Sequence, residues 1–300
     1  MLQRFLDPQV LAAIGSLDLV AKTVVDGFVA GLHRSPTFGF SQEFAEYRQY
    51  VQGDDLRHVD WNVYARTDRI YLKRFKGDTN SQLLVLLDTS ASMSYGTVPY
   101  KGGIISKLDY ARFAAASLIY MSSQQRDAAG IIVFDEDVRA YVPPSTRQGQ
   151  LMRLLHTIEQ AENGTRTDFA KPFAHFQEYL RRRSIVVVLS DFYADPTSII
   201  KTVEPLRYRG NDVVMVHILD PNELAPKFRD PVLLVDAEDA SSMEISPEYA
   251  RNEYRDKINN HCKQLADKAA AAGLDYVFLD TSKPLDQGLR NYLAIRQRRR

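Results

Sequence analysis

The chain has 300 residues, of which 45% are hydrophobic, 25% charged and 10% aromatic. That is material for one large domain or two modest ones with a buried core, so neither disorder nor a disulfide scaffold is needed to account for it. Lys plus Arg and Asp plus Glu number 38 each, a balance that disfavours a nucleic-acid-coating function.

Residues 10–32 are apolar at helical spacing, with Val10, Ile14, Leu17, Ala21, Val24 and Phe28 on one stripe. Ser16, Asp18, Lys22 and Asp26 interrupt the stretch. No window offers the ~18 nearly uncharged residues of a membrane span. A turn-rich, aromatic segment follows over 35–78, with one short strand at 69–75. No Pro-, Gly- or Ser-rich linker ends it, so residues 1–80 are expected to be an extension packed on a core domain of residues 81–300.

From Gln82 onward, apolar strands alternate with amphipathic helices. Strands are predicted at 83–87, 130–134, 138–142, 185–189, 212–219 and 275–279, and helices at 108–124, 151–158, 169–180, 199–208, 247–272 and 286–295. Leu83-Leu84-Val85-Leu86-Leu87 and Ile185-Val186-Val187-Val188-Leu189 are apolar throughout, as strands buried on both faces must be. The alternation predicts an α/β fold, a mostly parallel sheet covered by helices on both sides. Only Asp135, Glu136 and Asp137 separate two of the strands, too few for a crossover, so that pair forms an antiparallel hairpin. The single cysteine, Cys262, rules out an internal disulfide and every Cys-rich metal motif. With no export signal, a reducing cytoplasmic location is expected.

In an open α/β sheet, ligands sit beyond the carboxyl ends of the strands. The first core strand runs into Asp88-Thr89-Ser90-Ala91-Ser92 and the fourth into Ser190-Asp191, while Gly164-Thr165-Arg166-Thr167-Asp168 precedes a helix. Alternate residues of an extended segment project to one side, so Asp88, Ser90 and Ser92 can converge. Singly, each of these residues reads as a cap or turn former. Together, two carboxylates and several hydroxyls make a hard-oxygen site suited to Mg²⁺ or Mn²⁺. The neutral hydroxyls would hold such a cation without cancelling its charge, leaving it able to take an acidic residue from a partner.

The Asp88-x-Ser90-x-Ser92 loop, a threonine before a helix and the strand-end Asp191 resemble the metal-ion-dependent adhesion site of von Willebrand factor A domains. The resemblance covers residues 82–295 and implies a six-stranded, mostly parallel sheet with one antiparallel edge strand. It also implies a metal set of Asp88, Ser90, Ser92, Thr167 and Asp191. Thr167 is preferred to Thr165 because Phe173 then takes the apolar position of the family's helix start, although Pro172 stands where that pattern has Ala.

Upstream, the segments 43–50 and 53–61, followed by Ala65-Arg66-Thr67, are similar to the signature of bacterial domain-of-unknown-function 58 proteins. Asp54, Asp55, Arg57, Asp60 and Arg66 of this signature also read simply as a polar network fixing turns. The family resemblance implies partnership with a MoxR-type AAA+ ATPase or its client, in assembly or maturation of other proteins. The chain is thus expected to be a non-enzymatic, metal-dependent adaptor or co-chaperone. No GxxxxGK[ST], GxGxxG or HExxH motif is present. Two rival readings stay open: a Mg²⁺-dependent hydrolase or phosphatase using Asp88 and Asp191, and an interaction protein with an unoccupied metal site.

Overall fold

A computed structural model describes residues 7–14, 16–32, 44–50, 59–67, 69–75, 82–164, 170–179, 183–235, 241–285 and 288–290. These fall into two compact units, Met1–Val29 with Ser81–Arg300, and Ala30–Asn80.

In chain order the elements begin with helices α1 (Pro8–Ala12) and α2 (Leu17–Leu32). The single helix expected over 10–32 is therefore two, with a turn at 13–14. Asp7 caps the first by accepting the Gln9 N–H at 3.0 Å, with Pro8 in the first turn. Gly15 and Ser16 are the stop and start signals that the apolar stripe obscured.

The Ala30–Asn80 unit holds β1 (Phe44–Gln49), α3 (Trp61–Thr67) and β2 (Tyr71–Phe75), with the two strands antiparallel. Much of the 43–50 signature is thus strand β1. Asp60 starts α3: its carboxylate accepts the Val63 N–H, and its own N–H donates to Tyr71 O. Arg66 is exposed. Asp54, Asp55 and Arg57 lie outside the described residues.

The other unit continues with β3 (Gln82–Asp88), β4 (Val98–Tyr100), β5 (Gly103–Ile105), α4 (Lys107–Gln124), β6 (Ala128–Phe134), β7 (Val138–Ser145), α5 (Gln150–Glu159) and α6 (Ala170–Tyr179). It is completed by β8 (Ser184–Ser190), α7 (Pro196–Val203), β9 (Asp212–Leu219), α8 (Pro221–Leu224), β10 (Val232–Val235), β11 (Ser242–Ile245), α9 (Pro247–Tyr249), α10 (Arg255–Ala271) and β12 (Asp275–Asp280). A π-helical stretch, Ala250–Tyr254, joins α9 to α10, so the helix expected over 247–272 exists with one widened turn. The hairpins β4–β5 and β10–β11 carried no clear strand signal, being three or four residues a side. The closing helix expected over 286–295 lies largely outside the described residues.

The central sheet has six strands in the order β12-β9-β8-β3-β6-β7. All neighbours are parallel except β6 and β7, the predicted hairpin at the edge. Leu84 and Leu86 point into a core with Ile132, Phe134, Val186, Val188, Phe173, Phe176 and Leu265. Leu83, Val85 and Leu87, on the opposite face, are equally buried, and α4 packs against β3. Full burial of each such side chain contributes about 1.5–3 kcal/mol. From β3 the chain moves to β6 and β7 on one side, then returns to β8, β9 and β12 on the other. The switch point in strand order lies between β3 and β8, the place where ligands bind in open sheets of this kind. Among the described residues no helix is long and apolar enough to cross a membrane.

Candidate metal centre and its buried lysine

Asp88 ends β3 at the switch point and is fully buried. One of its oxygens, Oδ1, accepts the Ser90 N–H at 2.8 Å, and Oδ2 accepts the Ser190 hydroxyl at 2.6 Å across the β3–β8 seam. The first bond curls the chain into a tight turn that leads into a 3₁₀ segment, Ala91–Ser94, anchored by buried Met93. The Ser90 and Ser92 hydroxyls lie 3.1 Å apart as a result. Thr89 ties the loop sideways, giving both its N–H and its hydroxyl to Phe134 O at the end of β6.

Asp191 follows β8 and is 1% exposed. Phe192 then takes a left-handed conformation, φ 47°, that few residues with side chains adopt. Its N–H donates to Ser190 Oγ at 3.0 Å and its ring returns to the core, so the chain doubles back immediately beyond Asp191. Asp88, Ser90, Ser92 and Asp191 are thereby gathered at one end of adjacent strands. Thr167, like its competitor Thr165, lies outside the described residues. Gly164 donates its N–H to Thr89 O at 2.6 Å, which ties Gly164 itself to the same loop.

A cation is already built in. Lys107 is fully buried, and its Nζ lies 2.7 Å from Asp191 Oδ2 and 2.6 Å from Glu223 Oε1. It also sits 4.7 Å from the centre of the Tyr193 ring. Lys107 is the first residue of α4, whose start is fixed by a reciprocal cap between Ser106 and Asp109. Glu223 belongs to a similar cap on α8: its Oε2 accepts the Asp220 N–H at 2.8 Å. Buried Asp220 in turn accepts N–H groups from Thr97 and Asn222.

Sequence reading missed Lys107 and Glu223, yet both carried a signal. Ser106-x-x-Asp109 and Asp220-x-x-Glu223 are helix-start patterns, and helices that return across a parallel sheet or follow a strand directly start at its carboxyl edge. A lysine in a helix's first turn opposes the helix dipole, so it asks for nearby carboxylates.

The electrostatics follow from this crowding. Burial, and then the charge of Asp191, push Asp88 up to about 7 against the opposing bonds from Ser190 and Ser90. Burial works against the Lys107 charge, but Asp191 and Glu223 outweigh it and hold the ammonium above its ordinary value. Burial likewise raises Glu223, opposed by Lys107. His217 pairs in register with Ser190 and is fully buried. Burial drives it down to about 3, and its Nδ1 lies 2.7 Å from the Tyr276 hydroxyl. It is a neutral structural histidine.

Among the described residues no group of three or more His, Cys, Asp or Glu forms a cluster that could hold a metal by itself. A cation here would depend on the hydroxyls. Asp88, Ser90, Ser92 and one oxygen of Asp191 are hard donors of mixed charge, and they fit a small, partly hydrated divalent ion.

A mostly parallel six-stranded sheet with one antiparallel edge pair makes this an α/β domain with the sheet that the resemblance to von Willebrand factor A domains implies. Within that class the chain belongs to the DUF58 family: residues 46–264 match the family described as "Protein of unknown function DUF58". The uncharacterized protein Rv1480 of Mycobacterium tuberculosis is 29% identical over 298 residues, covering 97% of this chain and 91% of that protein. The uncharacterized protein Mb1516 of Mycobacterium bovis is similar to the same degree, 29% over 298 residues. Among solved structures, the conserved hypothetical protein BatB from Bacteroides thetaiotaomicron overlaps 72% of this chain and 99% of its own, with 14% identity and a TM-score of 0.47. The SpRpn10 VWA domain overlaps 70% of this chain and 93% of its own, with 11% identity and a TM-score of 0.40.

Proposed function

We propose that this protein is a non-enzymatic interaction module whose docking surface is a divalent-cation site, Mg²⁺ or Mn²⁺, held by Asp88, Ser90, Ser92 and Asp191 with Thr167. The observation that carries the reading is the pair Asp88 and Asp191: two buried carboxylates raise the protonation of one of them towards neutrality, with two hydroxyls 3.1 Å apart beside them. A bound cation would supply a Lewis-acidic position open to a partner's carboxylate. The chain's own part is to orient the donors. The Thr89 tether fixes the loop, Ser190 holds Asp88, and Lys107 holds Asp191.

The partner we propose is a MoxR-type AAA+ ATPase or its client, with this protein as adaptor or co-chaperone in protein assembly or maturation. That assignment comes from the DUF58 relationship, and the absence of a phosphate-binding loop in the sequence accords with the energy coming from the ATPase. Hydrolysis is the weaker reading because His217, the histidine adjoining Asp191, is sealed from solvent and bound to Tyr276. One observation favours a metal-free version of the same module: Lys107 already neutralises part of the carboxylate charge.

The test is affinity for a MoxR-type ATPase from the same organism, measured with Mg²⁺, with EDTA, and with Asp88→Ala. Binding only by the unaltered chain with Mg²⁺ is expected. Equal binding in all three rejects metal dependence, and no binding in any rejects the partner.

A further inference from the structure

We infer that Lys107 sets the cation preference of the site, by permanently occupying one oxygen of Asp191 and so restricting that carboxylate to a single donor atom. The inference rests on the cation reading above and concerns which ion the site takes.

The geometry leaves Lys107 nowhere else to go. Its side chain is fully buried, its backbone is the first residue of an 18-residue helix with a reciprocal cap, and its ammonium meets Asp191 Oδ2 and Glu223 Oε1 at 2.7 and 2.6 Å. Moving it aside would strand a charge without a partner in the interior, which is costlier than retaining the pair. A cation arriving between Asp88 and Asp191 therefore finds Oδ2 of Asp191 already committed. Glu223 lies across the same ammonium, its Oε1 facing Lys107 at 2.6 Å, so its charge is already taken up by Lys107. Asp88 accepts only neutral donors, the Ser90 N–H and the Ser190 hydroxyl, so each of its oxygens keeps a lone pair, and the ion reaches Asp88 and one oxygen of Asp191.

That restriction separates the common hard cations. Ca²⁺ favours six to eight oxygens and commonly takes carboxylates in bidentate fashion, whereas Mg²⁺ takes one or two carboxylates and keeps several waters in a compact octahedron. Mn²⁺ suits the same carboxylate, hydroxyl and water donors. A site with Asp191 held to one oxygen beside two neutral hydroxyls suits Mg²⁺ and Mn²⁺ and penalises Ca²⁺. Lys107 is in this sense a positioning residue, acting on the ion through Asp191.

The experiment is equilibrium binding of Mn²⁺ and of Ca²⁺ to the full chain and to Lys107→Met, with circular dichroism of both proteins. The ratio of the two affinities is the readout, because general loosening of the site weakens both ions together. The unaltered chain is expected to prefer Mn²⁺, and Lys107→Met to shift the ratio towards Ca²⁺ by about tenfold, the low end of what an outer-shell partner contributes to a single ion's affinity. An unchanged ratio in a folded Lys107→Met protein overturns the inference while leaving the cation reading intact. If Lys107→Met does not fold, Lys107→Gln, which keeps a donor without the charge, takes its place, and an unchanged ratio there, or equal affinity of the unaltered chain for Ca²⁺ and Mn²⁺, overturns the inference. Failure of the unaltered chain to bind either ion overturns the cation reading, and this inference with it.

Discussion

The hydroxyl of Ser190 reaches Asp88 at 2.6 Å, joining the carboxyl ends of two adjacent parallel strands through a bond in which the acid is the acceptor. That bond favours the ionised form of Asp88, yet burial and the nearby Asp191 prevail and hold its pKa at about 7, against an ordinary 3.8.

An acid whose folded pKa lies above its unfolded value binds protons more tightly in the native state. Its stabilising contribution is complete below pH 3.8 and is lost as the pH rises through about 7. Thermal melts in EDTA are expected to show stability falling over this window. Asp88→Asn should flatten the fall and unfold later than the unaltered chain at pH 8, by about 1–3 kcal/mol. The variant should nonetheless lose cation binding, which separates stability from function.

Lys107→Ala has the opposite sign. Removing the ammonium leaves Asp191 and Glu223 together in the interior without their shared cation. Urea unfolding in EDTA is expected to show a loss of about 3–5 kcal/mol, the usual consequence of taking one partner from a buried ion pair.

Ser90→Ala and Ser92→Ala test the hydroxyls. The two hydroxyls meet at 3.1 Å, and that of Ser90 also bonds to Asp88, all within one short turn. Melting temperatures should change little, while Mn²⁺ affinity measured by calorimetry should fall about tenfold or more for each.

Gly164→Ala probes the approach to the 165–169 segment. A methyl group there would collide with the Asp135 carboxylate, and Asp135 is fully buried and paired with Arg139. Relief requires Asp135 or residue 164 to shift, and the latter breaks the Gly164–Thr89 bond. A destabilisation of about 1–3 kcal/mol is expected in denaturant titrations, with weaker Mn²⁺ binding if the loop moves.

Much of the core was legible in the sequence because its signals are local. A three-residue gap, Asp135 to Asp137, dictates a hairpin, and β6 and β7 pair antiparallel at the sheet edge as it requires. Apolar runs ending in Asp88 and in Ser190-Asp191 locate strand ends by themselves. Lys107 and Glu223 were harder, since nothing within either segment says that a lysine will face a carboxylate 84 or 116 residues away. The small hairpins and the break in residues 10–32 failed for another reason. There, three- and four-residue strands and a Gly15-Ser16 boundary sit within patterns too short to outweigh a continuous apolar stripe.

The bonds closing the site span 102, 84 and 116 residues of chain. A ribosome delivering this protein exposes Asp88 and Lys107 while the segments carrying Asp191 and Glu223 are still to be synthesised. Neither early residue has its partner then, and strands β8 and β9 have yet to dock beside β3. Closures over such distances come late in folding. Whatever docks on this edge consequently meets it only on a chain whose sheet is already assembled, and nascent or truncated copies present no competing surface.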